Sequence, residues 1–254
     1  MKLFPSKNRF GKWIRWPLSL IPANSKMWVL SGPMRGKRWV AGSCNHGCWL
    51  GTYEKSKIQR YSELVSALPK QGVIYDVGAH AGIYSLVAAI SAPTSVIHAF
   101  EPVPKNLEYL NEHLKLNQAL NVVVHPVAIG RVSKMTFFAL GHSSTTGRVS
   151  ENGDIPIQQI QIDEEVKAGR LPPPQFIKMD IEGAEWEALL GAKDTLQKFH
   201  PQIFLATHGA DVHRQCLNLL NEIGYKIFSL TSEPLAKTDE VYASWETTTA
   251  VSKK

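Results

Sequence analysis

Apolar residues fall along this chain in two rhythms. Short runs dominated by apolar residues at Val73 to Val77, Val96 to Phe100, Asn121 to His125, Phe176 to Asp180 and Pro201 to Thr207 read as buried strands. Between them the apolar positions take helical spacing. Ile83, Leu86, Val87 and Ile90 mark a helix ended by Pro93, and Leu107, Leu110 and Leu114 mark one that begins at Pro102 and Pro104 and runs to about Leu116. Helices are also predicted from about Ser56 to Leu68, after Glu185 on Trp186, Leu189 and Leu190, and from about Val212 to Ile223. Further strands are expected at Thr136 to Leu140, around Ile155, Ile157, Ile160 and Ile162, at Tyr225 to Leu230 and at Glu240 to Ser244. Alternating strand and helix imply an α/β fold, a mostly parallel sheet covered on both faces. Ahead of it, Met27 to Leu30 and Arg38 to Val40 lie between glycines and predict a small hairpin-like, β-rich cap.

This pattern divides the chain into a basic arm and cap over residues 1–60, a main domain over 61–246 and a tail over 247–254. With 254 residues, 44% of them hydrophobic, the main domain has enough apolar material for a full core. Charge is distributed unevenly. Residues 1–60 hold twelve Lys or Arg against Glu54 alone, leaving sixteen basic against twenty-one acidic residues in the rest. Residues 1–26 interleave six of those cations with Phe4, Phe10, Trp13 and Trp16, which suits contact with an anionic membrane surface or an arm packed on the domain. No apolar run approaches the ~18 residues of a membrane span, and no secretory leader is evident, so a cytoplasmic protein, peripheral at most, is expected. Cys44, Cys48 and Cys216 make no disulfide framework, and Cys44-Asn-His46-Gly-Cys48 lacks zinc spacing, so packing is expected there. Gly141 to Gly153, rich in Gly, Ser and Thr, reads as a loop, either lid or connection.

The chemistry concentrates at strand ends. Val73 to Glu101 reads as strand, glycine turn, helix and strand, with Glu101 placed 19 residues after Gly82, about where a ribose-binding acid falls in such folds. The turn, Asp76-x-Gly78-x-x-x-Gly82, matches neither the dinucleotide nor the phosphate-loop pattern. An acid-rimmed turn without lysine suits an adenosine ligand carrying an ammonium group, and S-adenosyl-L-methionine is such a ligand. Asp180, Glu182 and His208 follow two further strands and share the same rim.

Four blocks together resemble the FkbM family of S-adenosylmethionine-dependent methyltransferases: Asp76-Val-Gly-Ala-His-Ala-Gly-Ile-Tyr-Ser-Leu86, Ala99-Phe-Glu-Pro-Val-Pro104, Leu116-Asn117 and Ile177-Lys-Met-Asp-Ile-Glu-Gly-Ala-Glu185. The resemblance covers roughly residues 71–210. It implies a class I methyltransferase, Rossmann-like sheet of seven strands with the last antiparallel, and O-methylation of a hydroxyl on a sugar, glycan or other small metabolite. It further implies that Gly78 and Gly82 admit the methionine end of the donor, Asp76 holds its amino group, and Glu101 with Pro102 borders its ribose. Where many members carry an acid after the fifth strand, this chain has His208.

A hydroxyl acceptor needs a base, and His208, Asp180 and Glu182 are the candidates, with His208 or Asp180 favoured and Glu185 read as stabilising a helix start. No metal ligand set is assigned; a divalent ion bridging Asp180 and the acceptor hydroxyls is the variant a chelator would test. The rival class is a non-catalytic nucleic-acid-binding or membrane-docked module using the basic segment. The acids of the rim and the lack of an RNA-module signature make nucleic acid a poor partner. A nicotinamide oxidoreductase is disfavoured by the missing glycine fingerprint.

Overall fold

The computed structural model describes residues 18, 20–140, 147–150, 153–231, 233–235 and 237–245. The arm over 1–17 and the tail over 247–254 lie outside the described residues, as does part of the Gly141 to Gly153 stretch. In chain order the elements are β1 (Lys26–Trp28), β2 (Arg38–Val40), α1 (Gly47–Leu50), α2 (Lys55–Ser66), β3 (Val73–Val77), α3 (Ile83–Ser91), β4 (Val96–Phe100), α4 (Pro104–Asn117) and β5 (Val122–His125). There follow β6 (Ala128–Ile129), β7 (Lys134–Leu140), β8 (Gly147–Ser150), β9 (Ile155–Ile160), α5 (Ile162–Lys167), β10 (Phe176–Met179), α6 (Glu185–Leu190), α7 (Lys193–Phe199), β11 (Gln202–Ala206), α8 (Ala210–Glu222), β12 (Lys226–Ser229) and β13 (Glu240–Ser244).

Seven strands form the main sheet in the order β12-β13-β11-β10-β3-β4-β5, and β13 alone runs against the others. This is the class I methyltransferase architecture expected from the sequence. The apolar-rich runs are the central strands: Ile74, Tyr75, Val77, Ile97, Ala99, Ile177 and Ile203 are at most 1% exposed, since each strand is covered on both sides. One layer gathers Tyr61, Leu86, Val87 and Leu110 with Val29 and Trp39 of the cap; the other gathers Leu189, Leu196, Cys216 and Leu219.

Several expectations change. Gly147–Ser150 is a strand, pairing antiparallel with β7 inside a second, four-stranded sheet, β6-β9-β7-β8, so the predicted loop is partly sheet. Glycine and serine had argued for a loop there, and cross-strand pairing outweighs their weak propensity. Ile162 leaves the strand and opens α5, whose first turn carries Asp163, Glu164 and Glu165 at the positive end of the helix dipole. The helix predicted on Trp186, Leu189 and Leu190 is present as Glu185–Leu190, and a further helix, Lys193–Phe199, follows it. Cys44 and Cys48 are joined in a disulfide, contrary to the expectation of unpaired thiols, because the turn into α1 brings residues four apart face to face. Cys216 stays free and buried.

Residue 60 does not mark a structural break, since α2 runs through it. The cap is tied to the domain by α4. His113 Nε2 accepts from Val40 N at 2.9 Å, its Nδ1 meets the Ala81 carbonyl at 2.7 Å, and its ring stacks on Trp39 at 3.7 Å. Accepting at Nε2 assigns the proton to Nδ1, a neutral imidazole; burial accordingly pushes His113 down to about 4. Asn117 pairs both ways with the hairpin backbone, accepting from Arg38 N at 2.8 Å and donating to Arg38 O at 2.9 Å.

Candidate functional site

The chain order reverses between β3 and β10, and open α/β sheets bind ligands at such a crevice, beyond the carboxyl ends of the strands. Val77 lies beside Met179 there, so the turn after β3 abuts the turn after β10. A Cβ on Gly78, whose φ is +82°, would sit 2.0 Å from the Asp180 carbonyl oxygen. At Gly82, φ is +89° and a Cβ would sit 2.4 Å from Leu110 Cδ1, which places that glycine's constraint in packing against α4. The first turn is fastened to β4 by Gly78 N and Ala79 N, which both donate to the Phe100 carbonyl at 3.0 Å.

A cavity of about 320 Å³ fills the crevice, at the lower end of the range for small-molecule sites. Gly78, His80, Glu101 and Pro102 line it from the β3 and β4 turns; Lys178, Asp180 and Glu182 line it from β10 and its turn; Trp39, Asn45, Tyr53 and Phe138 come from the cap and the small sheet. Glu101, 4% exposed, accepts from His80 N at 2.8 Å, Val103 N at 2.9 Å and Asn106 Nδ2 at 3.1 Å. Its carboxylate is oriented before any ligand arrives and also fastens the start of α4. His80 holds a left-handed φ of 49° at the cavity and leaves a buried Nε2 with no partner among the described residues.

The structure does not bring Asp76 to the cavity. Fully buried behind the turn, it accepts from Ser85 Oγ at 2.6 Å and lies 3.3 Å from Lys178 Nζ. Position within β3 explains this: Asp76 is one residue short of the strand's end and points into the layer of α3. Lys178, which sequence reading passed over as a strand residue, is the group that reaches the cavity from this pair. Its ammonium donates to the Gly78 carbonyl at 3.0 Å and sits 4.8 Å from the Tyr84 ring.

Asp180, Glu182 and His208 do come together. His208 Nε2 is 3.7 Å from Asp180 Oδ1 and 3.7 Å from Glu182 Oε2, and its Nδ1 lies 2.9 Å from Glu185 Oε1. Glu185 is fully buried and also accepts from Ile181 N and Gly183 N at 3.1 Å, so it anchors the turn after β10 rather than only starting a helix. The hydrogen bond to Glu185, aided by the surrounding acids, outweighs burial and raises His208 to about 9. Glu182 is pushed up, chiefly by desolvation. His208 is therefore an imidazolium near neutral pH and, unlike the two carboxylates, does not line the cavity. One atom from each of the three residues falls within 4.8 Å of the others, a spacing that would also admit a divalent cation in place of the imidazolium proton.

The sequence signals for the cavity's other lining residues were weak. Tyr53 and Asn45 lie in irregular cap segments and Phe138 in a strand of the small sheet, where residue spacing carries no information about distance to the glycine turn.

Comparison with known proteins places the chain among methyltransferases. The hexuronic acid methyltransferase AglP of Haloferax volcanii is 30% identical over 152 residues, covering 58% of this chain and 61% of that protein. Methyltransferase 1 of Beauveria bassiana is 25% identical over 154 residues, covering 51% of this chain and 62% of that protein. This chain thus spans about three-fifths of the length of the curated relatives it matches. A crystal structure of the methyltransferase FkbM from Methylobacillus flagellatus superposes with a TM-score of 0.49 at 20% identity, over 79% of this chain and 55% of that one. The methyltransferase FkbM domain matches residues 76–227, from the aspartate of β3 to the middle of β12, and the chain belongs to that family.

Proposed function

We propose that this chain transfers the methyl group of S-adenosyl-L-methionine to a hydroxyl of a sugar, glycan or other small metabolite. The observation that carries the reading is the single cavity in which a pre-oriented Glu101 and the glycine turn face the same space as the Asp180 and Glu182 carboxylates. The donor set fits the cofactor. Glu101 retains acceptor capacity for a ribose hydroxyl beyond its three hydrogen bonds, and the unpartnered His80 Nε2 offers one more polar contact. When bound, the cofactor supplies a methyl carbon already activated by its sulfonium.

What remains for the protein is to align the acceptor and take its proton. Asp180, on the cavity and at the strand end, takes the hydroxyl proton; Glu182 extends the same acidic edge. His208, held protonated by Glu185, keeps the two carboxylates together rather than acting as the base. Lys178 holds the glycine turn by its Gly78 carbonyl while Asp76 balances its charge. Trp39, Tyr53 and Phe138 offer apolar faces of the kind that pack on a sugar ring and shed water. A carbohydrate acceptor is further supported by the relative named for methylating hexuronic acid.

Labelled-methyl transfer to a panel of glycans, uronic acids and hydroxylated metabolites, with calorimetry of the donor, tests the reading. Asp180→Asn should lower turnover by about 10²- to 10⁴-fold while donor affinity holds. Glu101→Gln should weaken donor binding by about 10- to 100-fold, the worth of a charge-assisted hydrogen bond. Unchanged turnover in the first variant removes Asp180 as base, and unchanged affinity in the second removes the ribose contact. Turnover should survive a chelator, since the His208 proton takes the place a cation would fill; loss restored by added magnesium would put a metal there instead.

A further inference from the structure

We propose that the outward face of the β1–β2 hairpin is a docking surface for an anionic lipid bilayer. The hairpin has two faces of different character. Met27, Val29 and Trp39 turn inward, with Val29 and Trp39 at 2% and 1% exposure, and Trp39 reaches the cavity. Lys26, Trp28 and Leu30 alternate with them and turn outward, leaving Trp28 56% and Leu30 57% exposed. A two-stranded ribbon has no need of a bare tryptophan and leucine on its solvent face, and large apolar side chains gain by leaving water.

Charge identifies what covers them. The guanidinium of Arg38, opposite Trp28 in the register, sits 4.4 Å from its ring centroid. Arg35 and Lys37 follow at the hairpin tip, and no acid pairs with Arg35, Lys37 or Arg38 among the described residues. Lys26 is the cation here with an acidic partner, Glu112 at 3.2 Å. Across residues 1–53 there are nine Lys or Arg and no Asp or Glu, so the hairpin extends a long cationic segment. Tryptophan flanked by arginine and lysine over an apolar neighbour is the pattern of the bilayer interface, where the rings and Leu30 enter the headgroup boundary and the cations meet anionic lipid. Duplex nucleic acid would use the cations but leave Leu30 without a partner. The surface stands apart from the cavity's carboxylates, so docking does not depend on which hydroxyl is methylated.

Co-sedimentation of the full chain with vesicles tests this. Binding is expected to equimolar phosphatidylcholine–phosphatidylglycerol vesicles, to weaken steeply with salt, and to be absent on phosphatidylcholine alone. Trp28→Ser with Leu30→Ser should lower partitioning about tenfold or more, and so, independently, should Arg35→Glu with Lys37→Glu, neither of which is a core residue. Unaltered melting curves confirm that both variants fold. No preference for the anionic vesicles would overturn the proposal, as would partitioning of both variants unchanged from the parent chain, which would assign binding to residues 1–17. Tighter binding to duplex nucleic acid than to vesicles, or a dimer dissolved by the Trp28 variant, would assign the face to another partner.

Discussion

The two sides of the crevice are held together by different physics. The glycine turn after β3 is fixed by backbone: two amides converge on the Phe100 carbonyl, and the bonds to Glu101 come from His80 N, Val103 N and the Asn106 amide. The edge after β10 is fixed by charge. Asp180, Glu182 and Glu185 surround His208, and the three carboxylates are drawn together by the imidazolium between them. The first side rests on neutral amide donors and the second on charged partners, so substitutions that remove a charge act most directly on the second.

The comparison breaks most severely at Lys178, which links the two sides. Lys178→Met leaves Asp76 buried without its counter-charge and should cost about 3–5 kcal/mol of stability, measured by denaturant unfolding. Adding Asp76→Asn should recover part of that loss; a single variant as stable as the parent would show that the pair does not carry the turn. A smaller effect is expected at the cap. Unfolded imidazole takes a proton below about 6.5, and His113 in the fold refuses it until about 4, so its contribution is complete above 6.5 and drains away as pH falls through that window. The loss should reach up to about 3 kcal/mol and appear as proteolytic sensitivity of the cap between pH 6 and 4, absent in His113→Asn. His208 has the opposite sign. Its folded value is raised, so its contribution is present below 6.5 and lost as pH rises toward about 9. With more than a third of the side chain in solvent, screening should leave this below about 1 kcal/mol, seen as a shallow fall in melting temperature that His208→Gln abolishes.

Much of the fold was legible because strands covered on both faces are dominated by apolar residues. Val73–Val77, Val96–Phe100 and Glu240–Ser244 coincide with their predicted ranges, and the remaining central strands and helices differ by a few residues at their ends. The failures lie where local propensity and tertiary pairing disagree. The strand Gly147–Ser150 lies in a stretch rich in glycine, serine and threonine and pairs with β7. The Cys44–Cys48 link depends on the shape of one short turn. In the site, Glu101, Pro102, Asp180 and Glu182 were found where their strand ends implied, since strand ends in a parallel sheet share one edge. Asp76 was placed one residue too close to that edge, and the difference between the last and second-last residue of a strand is the difference between facing the ligand and facing a helix. Its partner Lys178 was overlooked because a lysine inside an apolar run acquires meaning only from a counter-charge a hundred residues away.

By itself, the sequence determined the α/β class, the glycine turn, the acid at Glu101 and the family, because each is written in residues near one another and in spacings that backbone geometry enforces. Tertiary structure alone decided that His208 is an imidazolium behind the carboxylates, that Asp76 serves Lys178, and that His113 and Asn117 bind the cap over the crevice. Those outcomes depend on burial and on charges from distant segments, and the free energy of an ionisable group is set by what surrounds it in space rather than by what precedes it in the chain.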